Sequence, residues 1–292
     1  MTLSRLKGST LVNKRDFPYR TPRQRMYSWY KLRKFYPPGA HPSEYWDRKY
    51  EADGVQRDDP EEYRKQLFYP LLMKHLEKGK KYLDAGCGLG GWLAFLRARG
   101  YDIVGIDGSK KAIELAKIMD PTLPAEVGDV KQLRFADGSF DGYIAIGTWE
   151  YAEDATERVV KEAVRVLKPG GVLIIEVPYA NPFRRWTYLP LKTLEYVVRT
   201  YLFSQKPTFS HFLFRKGDIR VLLECLGLHI LEINPHDLPE PHSHYGLWVD
   251  WPLFRGGRPY ELNALGRLVK RTMNAVSPWM IATGMFFVAR KK

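Results

Sequence analysis

Between residues 81 and 177 short apolar runs alternate with stretches of helical periodicity, and the first run leads straight into a cluster of glycines. That rhythm builds a parallel sheet covered by helices, because each parallel strand needs a crossover helix to reach the next. It predicts strands at 81–85, 102–107, 125–128, 141–147 and 172–177. A helix is predicted over 92–99, where Gly100 stops it, and another runs from a Ser109 cap to residue 119. A third opens on a capping box of Asp154 and Glu157 and runs to residue 167, where Lys168-Pro-Gly-Gly171 ends it. Asp218 is placed to cap a further helix to residue 226, with a sixth strand at 228–234 and a last one at 282–289. The fold class is therefore α/β, a doubly wound sheet.

Three segments break this rhythm and divide the chain. Residues 1–79 form an N-terminal arm and cap, and 80–178 the core. An insertion follows at 179–215, core elements return at 216–235, a second insertion occupies 236–281, and 282–292 carries the last strand. Ligands of open parallel sheets bind at the carboxyl ends of the strands, where both insertions begin. At about 40 residues each they are too long for ordinary connections and read as helical lids.

Composition narrows the class further. With 45% apolar and 14% aromatic residues, the 292-residue chain can bury a large core. Cys87 and Cys225 cannot make a disulfide framework, so a reducing, cytoplasmic location is expected. No apolar run reaches the ~20 residues of a membrane span, and the start of the sequence does not read as a signal peptide. Residues 279–289, the most apolar stretch near the end, read as a strand. The net charge of +13 is unevenly distributed: +9 over 1–36, zero over 37–81, −4 over 82–180 and +8 over 181–292. An acidic centre with basic flanks points to an anionic substrate or surface at the mouth of a pocket.

The run Tyr82-Leu-Asp-Ala-Gly-Cys-Gly-Leu-Gly-Gly91 sets Gly86, Gly88 and Gly90 at alternate positions just past a strand, where the backbone can turn tightly and a ligand can approach. The spacing is G-x-G-x-G, distinct from the dinucleotide fingerprint. Asp107 ends the second strand, where a carboxylate can accept from both hydroxyls of a ribose. Asp129 ends the third, suited to an adenine amino group with Val130 against the ring. Gly147 and Thr148 end the fourth, at the pocket floor.

These segments, with Phe135-Ala-Asp-Gly-Ser-Phe-Asp-Gly142 and Leu167-Lys-Pro-Gly-Gly-Val-Leu173, resemble the class I S-adenosylmethionine-dependent methyltransferases in order and spacing. The small-molecule branch typified by the ubiquinone and menaquinone enzymes is the nearest likeness. With a weaker match at 216–234, the resemblance covers roughly half the chain. It implies a Rossmann-like, seven-stranded sheet with an antiparallel last strand and methyl transfer from S-adenosylmethionine. It also implies that Asp84, Gly86 and Gly88 line the methionine portion, that Asp107 holds the ribose, and that Asp129 and Val130 hold the adenine. Cys87, Gly90, Gly108, Gly147 and Thr148 complete the implied lining, and Tyr50 matches an aromatic that closes over the cofactor. Many relatives have a histidine where this chain has Tyr151, so the base is sought elsewhere.

If the acceptor is a hydroxyl, a base must stand within hydrogen-bond reach. The candidates are His236 and Asp237, directly after the sixth strand, with His211, Tyr151, and the group His242, His244 and Tyr245. Imidazole and carboxylate are also suitable metal ligands, yet no supporting spacing accompanies them and no metal is expected.

The basic, aromatic arm can bind nucleic acid, an anionic membrane or a phosphate-bearing substrate. The end of the fourth strand carries neither the adenine-amino nor the cytosine-C5 methylation signature. The stretches 188–203 and 262–276 read as amphipathic helices with basic polar faces, compatible with peripheral membrane contact. The reading is methyl transfer, favouring oxygen, to a small or medium-sized acceptor, anionic or linked to glycan or lipid. The alternatives are an RNA-directed enzyme that uses the arm, and a non-catalytic cofactor-binding protein.

Overall fold

The computed structural model describes residues 30–34, 45–53, 60–153, 156–205, 208–237, 245–258 and 261–292. Most of the arm, Asp154, His242 and His244 lie outside the described residues, as does the side chain of Tyr245.

Nine strands are described: β1 Tyr30–Lys34, β2 Lys81–Ala85, β3 Asp102–Asp107, β4 Ala125–Val127, β5 Phe140–Ile146, β6 Leu167–Pro178, β7 Thr208–Leu213, β8 Leu228–His236 and β9 Gly284–Lys291. Seven of them make one sheet in the order β4-β3-β2-β5-β6-β9-β8. The first five in that order run parallel, and β9 lies antiparallel to both β6 and β8. This is the Rossmann-like sheet with a reversed last strand that the sequence pattern implies.

The sheet is buried on both faces because successive strand residues point to opposite sides. Leu83, Tyr143, Leu173, Ile175 and Phe287 face one core, which is closed by Val159, Val160 and Ala163 of α6 (Thr156–Val166) and by Ile219, Leu222 and Leu223 of α8 (Lys216–Cys225). Tyr82, Ile144, Ile174, Phe286 and Val288 face the other. Leu71 and Leu72 of α3 (Tyr69–His75), Leu93, Phe95 and Leu96 of α4 (Gly91–Arg97), and Ile113 and Ala116 of α5 (Lys110–Met119) close it. Two further helices, α1 (Tyr45–Asp53) and α2 (Pro60–Lys65), precede this core.

Several local expectations are corrected. The Lys168-Pro-Gly-Gly171 turn does not separate helix from strand; it is an irregularity inside β6. Leu167 already pairs with Phe140, pairing resumes at Gly142 with Val172, and Gly170 at φ 77° makes the detour. Asp218 is not a cap: α8 starts at Lys216 after Arg215, and Asp218 sits in its first turn, where the helix dipole favours an acid. The last strand begins at Gly284 rather than 282, because Pro278–Met280 forms a 3-10 turn capped by Ser277. The ribbon of β1 against β7 was not anticipated. It joins segments almost 180 residues apart and has no local signature.

The insertions are largely helical. After β6 the chain makes a π turn, Arg184–Tyr188, and enters α7, Leu189–Tyr201. The second insertion carries α9 (Tyr245–Asp250) and α10 (Ala264–Val276), packed around Leu247, Phe254, Leu262 and Ile281. Among the described residues no helix is long and apolar enough to cross a membrane.

Gly142 shows how tightly the central strands are fitted. It lies between Tyr82 and Val172, and a Cβ there would stand 2.5 Å from the Tyr82 ring and 3.1 Å from a Val172 methyl. Both neighbours are buried. Gly142→Ala is expected to cost about 1–3 kcal/mol by overpacking, read as a lowered urea midpoint at unchanged slope.

Candidate active site

The glycine run shapes the end of β2. Gly86, Gly88 and Gly90 adopt φ of 89°, 53° and 75°, a region that side-chain-bearing residues rarely enter. The amides of Gly86 and Cys87 donate to Ile106 O at the end of β3. At Gly86 a Cβ would stand 2.1 Å from Thr148 Oγ1, and Thr148 itself donates to Ala85 O at 3.0 Å. Thus the loop and the end of β5 close on each other with no room for a side chain.

Asp107 binds this loop to the next helix. One carboxylate oxygen accepts from Gly88 N and the other from Ser109 N, both at 2.8 Å. Ser109 in turn caps α5 by accepting from Ala112 N. Asp47 on α1 accepts from the Ser109 hydroxyl and from Lys111 N, which docks α1 onto the same helix start. Tyr50, one turn along α1, thereby brings its hydroxyl over Gly88, where a Cβ would lie 2.8 Å from it.

Above these strand ends lies a cavity of about 2030 Å³, roughly twice the upper end of the ~300–1,000 Å³ usual for a single ligand. Tyr50, Gly86, Asp107, Gly108, Asp129, Val130, Gly147 and Thr148 line one part. Tyr151, Glu176, Arg184, His211 and His236 line another, together with the inner face of α7. Asp84 is buried and not part of the lining, and Gly90 is buried as the N-cap of α4. Cys87 turns its sulfur toward Gly105. Asp129 is exposed and accepts from Lys131 N in its own turn.

The base candidates separate. His236 Nε2 meets Glu176 Oε1 at 2.9 Å, its ring stacks on Phe286 at 4.5 Å, and Nδ1 is buried without a hydrogen-bond partner. Asp237 accepts from the Thr283 hydroxyl. Glu176 also accepts from Gly147 N at 3.1 Å, which links His236 to the end of β5. His211 stands apart on β7, hydrogen-bonded to Ser210 Oγ at 2.9 Å, with its ring 6.4 Å from Tyr151. Tyr151 meets Trp46 of α1 edge-on at 5.1 Å, so aromatic rings run from Tyr50 and Trp46 across to His211. Among the described residues no group of three metal-ligating side chains is assembled.

Sequence reading did not find Glu176, Arg184, Trp46 or Asp47. Glu176 had a usable signal as the one charge inside the apolar run 172–177. Arg184 had none: it is buried, pairs with Asp250 at 2.5 Å and donates to the carbonyls of Tyr179 and Thr283.

Burial dominates the electrostatics. It lifts the Asp84 carboxyl to about 7, with the nearby Asp107 charge adding to the effect. It also raises Asp107, although two backbone amides oppose the shift. Glu150, fully buried beside Glu176, is raised well above the carboxylate range by burial first and by that neighbour second.

Comparison with known proteins assigns this architecture. Residues 83–175 match the model of the methyltransferase domain family. This segment is a class I S-adenosylmethionine-dependent methyltransferase domain. The methyltransferase core is 35% identical over 121 residues to a sterol 24-C-methyltransferase of Aspergillus fumigatus, covering 36% of this chain and 32% of that protein. It is also 35% identical over 104 residues to the 2-methyl-6-phytyl-1,4-hydroquinone methyltransferase of Synechocystis, covering 34% and 32%. The chain therefore spans about a third of the length of these relatives. In fold, it superposes on a methyltransferase of Methanosarcina mazei with TM-score 0.53 and 21% identity, over 76% of this chain and 97% of that one. An Archaeoglobus fulgidus methyltransferase gives TM-score 0.53 at 15% identity, over 85% and 99%.

The raised Asp84 carboxyl has a consequence for stability. The folded protein keeps that proton up to about pH 7, while the unfolded chain releases it near the ordinary ~3.9. The native state therefore binds more protons between these values, and stability falls as pH rises through that window. Glu150 acts with the same sign. Urea midpoints are expected to be lower at pH 8 than at pH 5, and Asp84→Asn should shrink that difference without abolishing it.

Proposed function

We propose that the protein transfers a methyl group from S-adenosylmethionine to a small or medium-sized acceptor, with oxygen the favoured atom. The observation that carries this reading is the single large cavity, with the glycine loop and Asp107 at one part and the Glu176–His236 pair at another. Its volume suits a donor and an acceptor together.

The residues present fit the donor. The positive-φ glycines offer backbone without Cβ atoms. Each Asp107 oxygen accepts one amide and has a lone pair left for a ribose hydroxyl. A Cβ on Gly108 would meet nothing nearer than Gly128 O at 4.0 Å, so the space beside Asp107 is open. Asp129 and Val130 border the place for a base, and Tyr50 closes over the loop. Bound there, the donor supplies an activated methyl group whose sulfonium charge disappears on transfer.

What the chain must add is alignment, exclusion of water and a place for a proton. In the neutral tautomer with its proton on Nε2, His236 donates to Glu176 and leaves Nδ1 as an acceptor. Nδ1 is buried in the cavity wall, so an acceptor hydroxyl reaches it only by seating against that part of the ring; Glu176 then stabilises the ring once Nδ1 takes the proton. His236 is thus the preferred base, with Tyr151 and His211 bordering the acceptor and Asp237 supporting the wall through Thr283. On the cavity wall Arg184 is paired with Asp250, and Lys192 and Arg199 with Glu195, so the wall offers polar but charge-matched groups to an acceptor. Some relatives are named for lipid-like acceptors, a sterol and a phytyl hydroquinone, which supports a lipid-linked acceptor here.

Calorimetry with S-adenosylmethionine tests the donor site. Binding is expected, with Gly86→Arg abolishing it and Asp107→Ala weakening it at least tenfold, about the loss of two hydrogen bonds. Absence of binding in the unaltered chain sinks the reading. With an acceptor identified by labelled-donor screening of extracts, His236→Ala should lower transfer by about 10²–10⁴ while donor affinity stays unchanged.

A further inference from the structure

Arg184 is buried in the wall of the cavity with part of its hydrogen-bonding capacity unused. A guanidinium carries five N–H groups in a fixed planar fork. Nε donates to one oxygen of Asp250 at 2.5 Å, and Nη1 donates to Tyr179 O and Thr283 O, each at 3.2 Å. Neither hydrogen of Nη2 has an acceptor among the described residues. The partner is in the same condition, since the second Asp250 oxygen has no donor among them. The two side chains are 8% and 7% exposed, and both residues line the cavity. Buried polar atoms normally find a partner. A spare donor and a spare acceptor on one ion pair in a cavity wall therefore mark a place for a ligand.

The surroundings keep this corner uncrowded and tie it to His236. A Cβ on Gly246 of α9 would stand 3.3 Å from Nη2 and 3.0 Å from Thr283 Oγ1, so the glycine leaves the nitrogen room. Thr283 makes the link: its carbonyl accepts from Arg184, and its amide donates to His236 O at 2.9 Å. Tyr188 lines the same cavity, and the charges of Asp250 and Arg184 both act on its hydroxyl. Burial, and then the Asp250 charge, raises that hydroxyl to about 12, so it stays protonated and can both donate and accept. Around the corner the charges are matched, Arg184 by Asp250, and Lys192 and Arg199 by Glu195.

We propose that Arg184 and Asp250 form a specificity pair that reads a hydroxyl group of an uncharged, polyhydroxylated acceptor, beside the hydroxyl that reacts at His236. A hydroxyl both accepts and donates. One such group takes a hydrogen bond from Nη2 and gives its own to the second Asp250 oxygen. A carboxylate on the acceptor would meet Nη2 but repel Asp250, and an ammonium would do the reverse. Either mismatch leaves a buried group unpaired, and sites of this type reject an analogue that lacks the hydroxyl by up to about 10⁴–10⁵. The inference rests on the proposed function, because it names the acceptor class of the same site. Donor binding is therefore measured apart from acceptor choice.

The test uses the full chain, labelled S-adenosylmethionine, and a cell extract divided by ion exchangers at pH 7 into anionic, cationic and uncharged fractions. Label is expected in the uncharged fraction, and acetylating that fraction beforehand, which caps hydroxyls, should abolish it. Asp250→Asn sets an amide donor where the spare acceptor oxygen stood. It should raise the half-saturating amount of the uncharged fraction by about tenfold or more. It should also let label enter the anionic fraction, because the Arg184 charge is then unmatched. Breaking a buried pair weakens the fold, so Gly246→Ala serves as a second variant. It keeps the ion pair, sets a methyl group beside Nη2, and should raise the half-saturating amount in the same direction. Calorimetry with S-adenosylhomocysteine should give the parent's affinity in both variants. Label confined to a charged fraction, label that survives acetylation, or folded variants with the parent's half-saturating amount and preference overturn the inference and leave methyl transfer standing. No label in any fraction, with the donor bound, overturns the proposed function and the inference with it.

Discussion

Asp107 holds the site together. Its two oxygens accept from the glycine loop and from the start of α5, at the point where β3 ends. That bridge adds to the bonds from Gly86 N and Cys87 N to Ile106 O and ties the positive-φ loop directly to the start of α5. The α1 contact through Asp47 and Ser109 then holds Tyr50 over that loop. Burial works against the arrangement, since it raises the carboxyl's affinity for a proton. Two amides in good geometry offset part of that cost, and a buried carboxylate of this kind tends to occur where function requires it.

The two halves of the cavity have different physical origins. The part lined by the glycine loop and Asp107 is built almost entirely from strand ends and tight turns of the parallel sheet, so local chain geometry specifies it. The part lined by Glu176 and His236 depends on elements brought in from 179–215 and 236–281. Arg184, Asp250, Thr283 and the Tyr179 carbonyl lock those insertions against the ends of β6 and β9. His236 and Glu176 meet because β9 lies between β8 and β6 and presents Gly284 opposite His236 and diagonal to Glu176, which pairs with Phe286. A side chain at Gly284 would overlap each of them, with His236 Nε2 at 2.3 Å and Glu176 Oε1 at 2.4 Å from its Cβ. A single small residue thus permits the pair to meet.

The charge distribution changes meaning in this light. The total of +13 is spread unevenly: the acidic segment 82–180 carries the glycine loop and Asp107, and basic residues of 181–292 line the cavity beside acids, while α7 turns apolar residues outward.

By itself the sequence determined the sheet and most of the glycine loop. Strands 81–85 and 102–107 and the Ser109 cap are found where the pattern puts them, because alternation, capping and glycine turns act over a few residues. Local signals erred where a tertiary partner intervened: at Lys168–Gly171, absorbed into β6 by pairing with β5, and at 282–283, left out of β9. Only the tertiary structure decided that Glu176 meets His236, that Asp237 accepts from Thr283, and that β1 pairs with β7. The same holds for the face of α7 that looks into the cavity. A helix's periodicity identifies its apolar stripe but not the direction in which it turns, since that follows from anchors such as Arg184 and Asp250, distant in sequence and joined only in the folded chain.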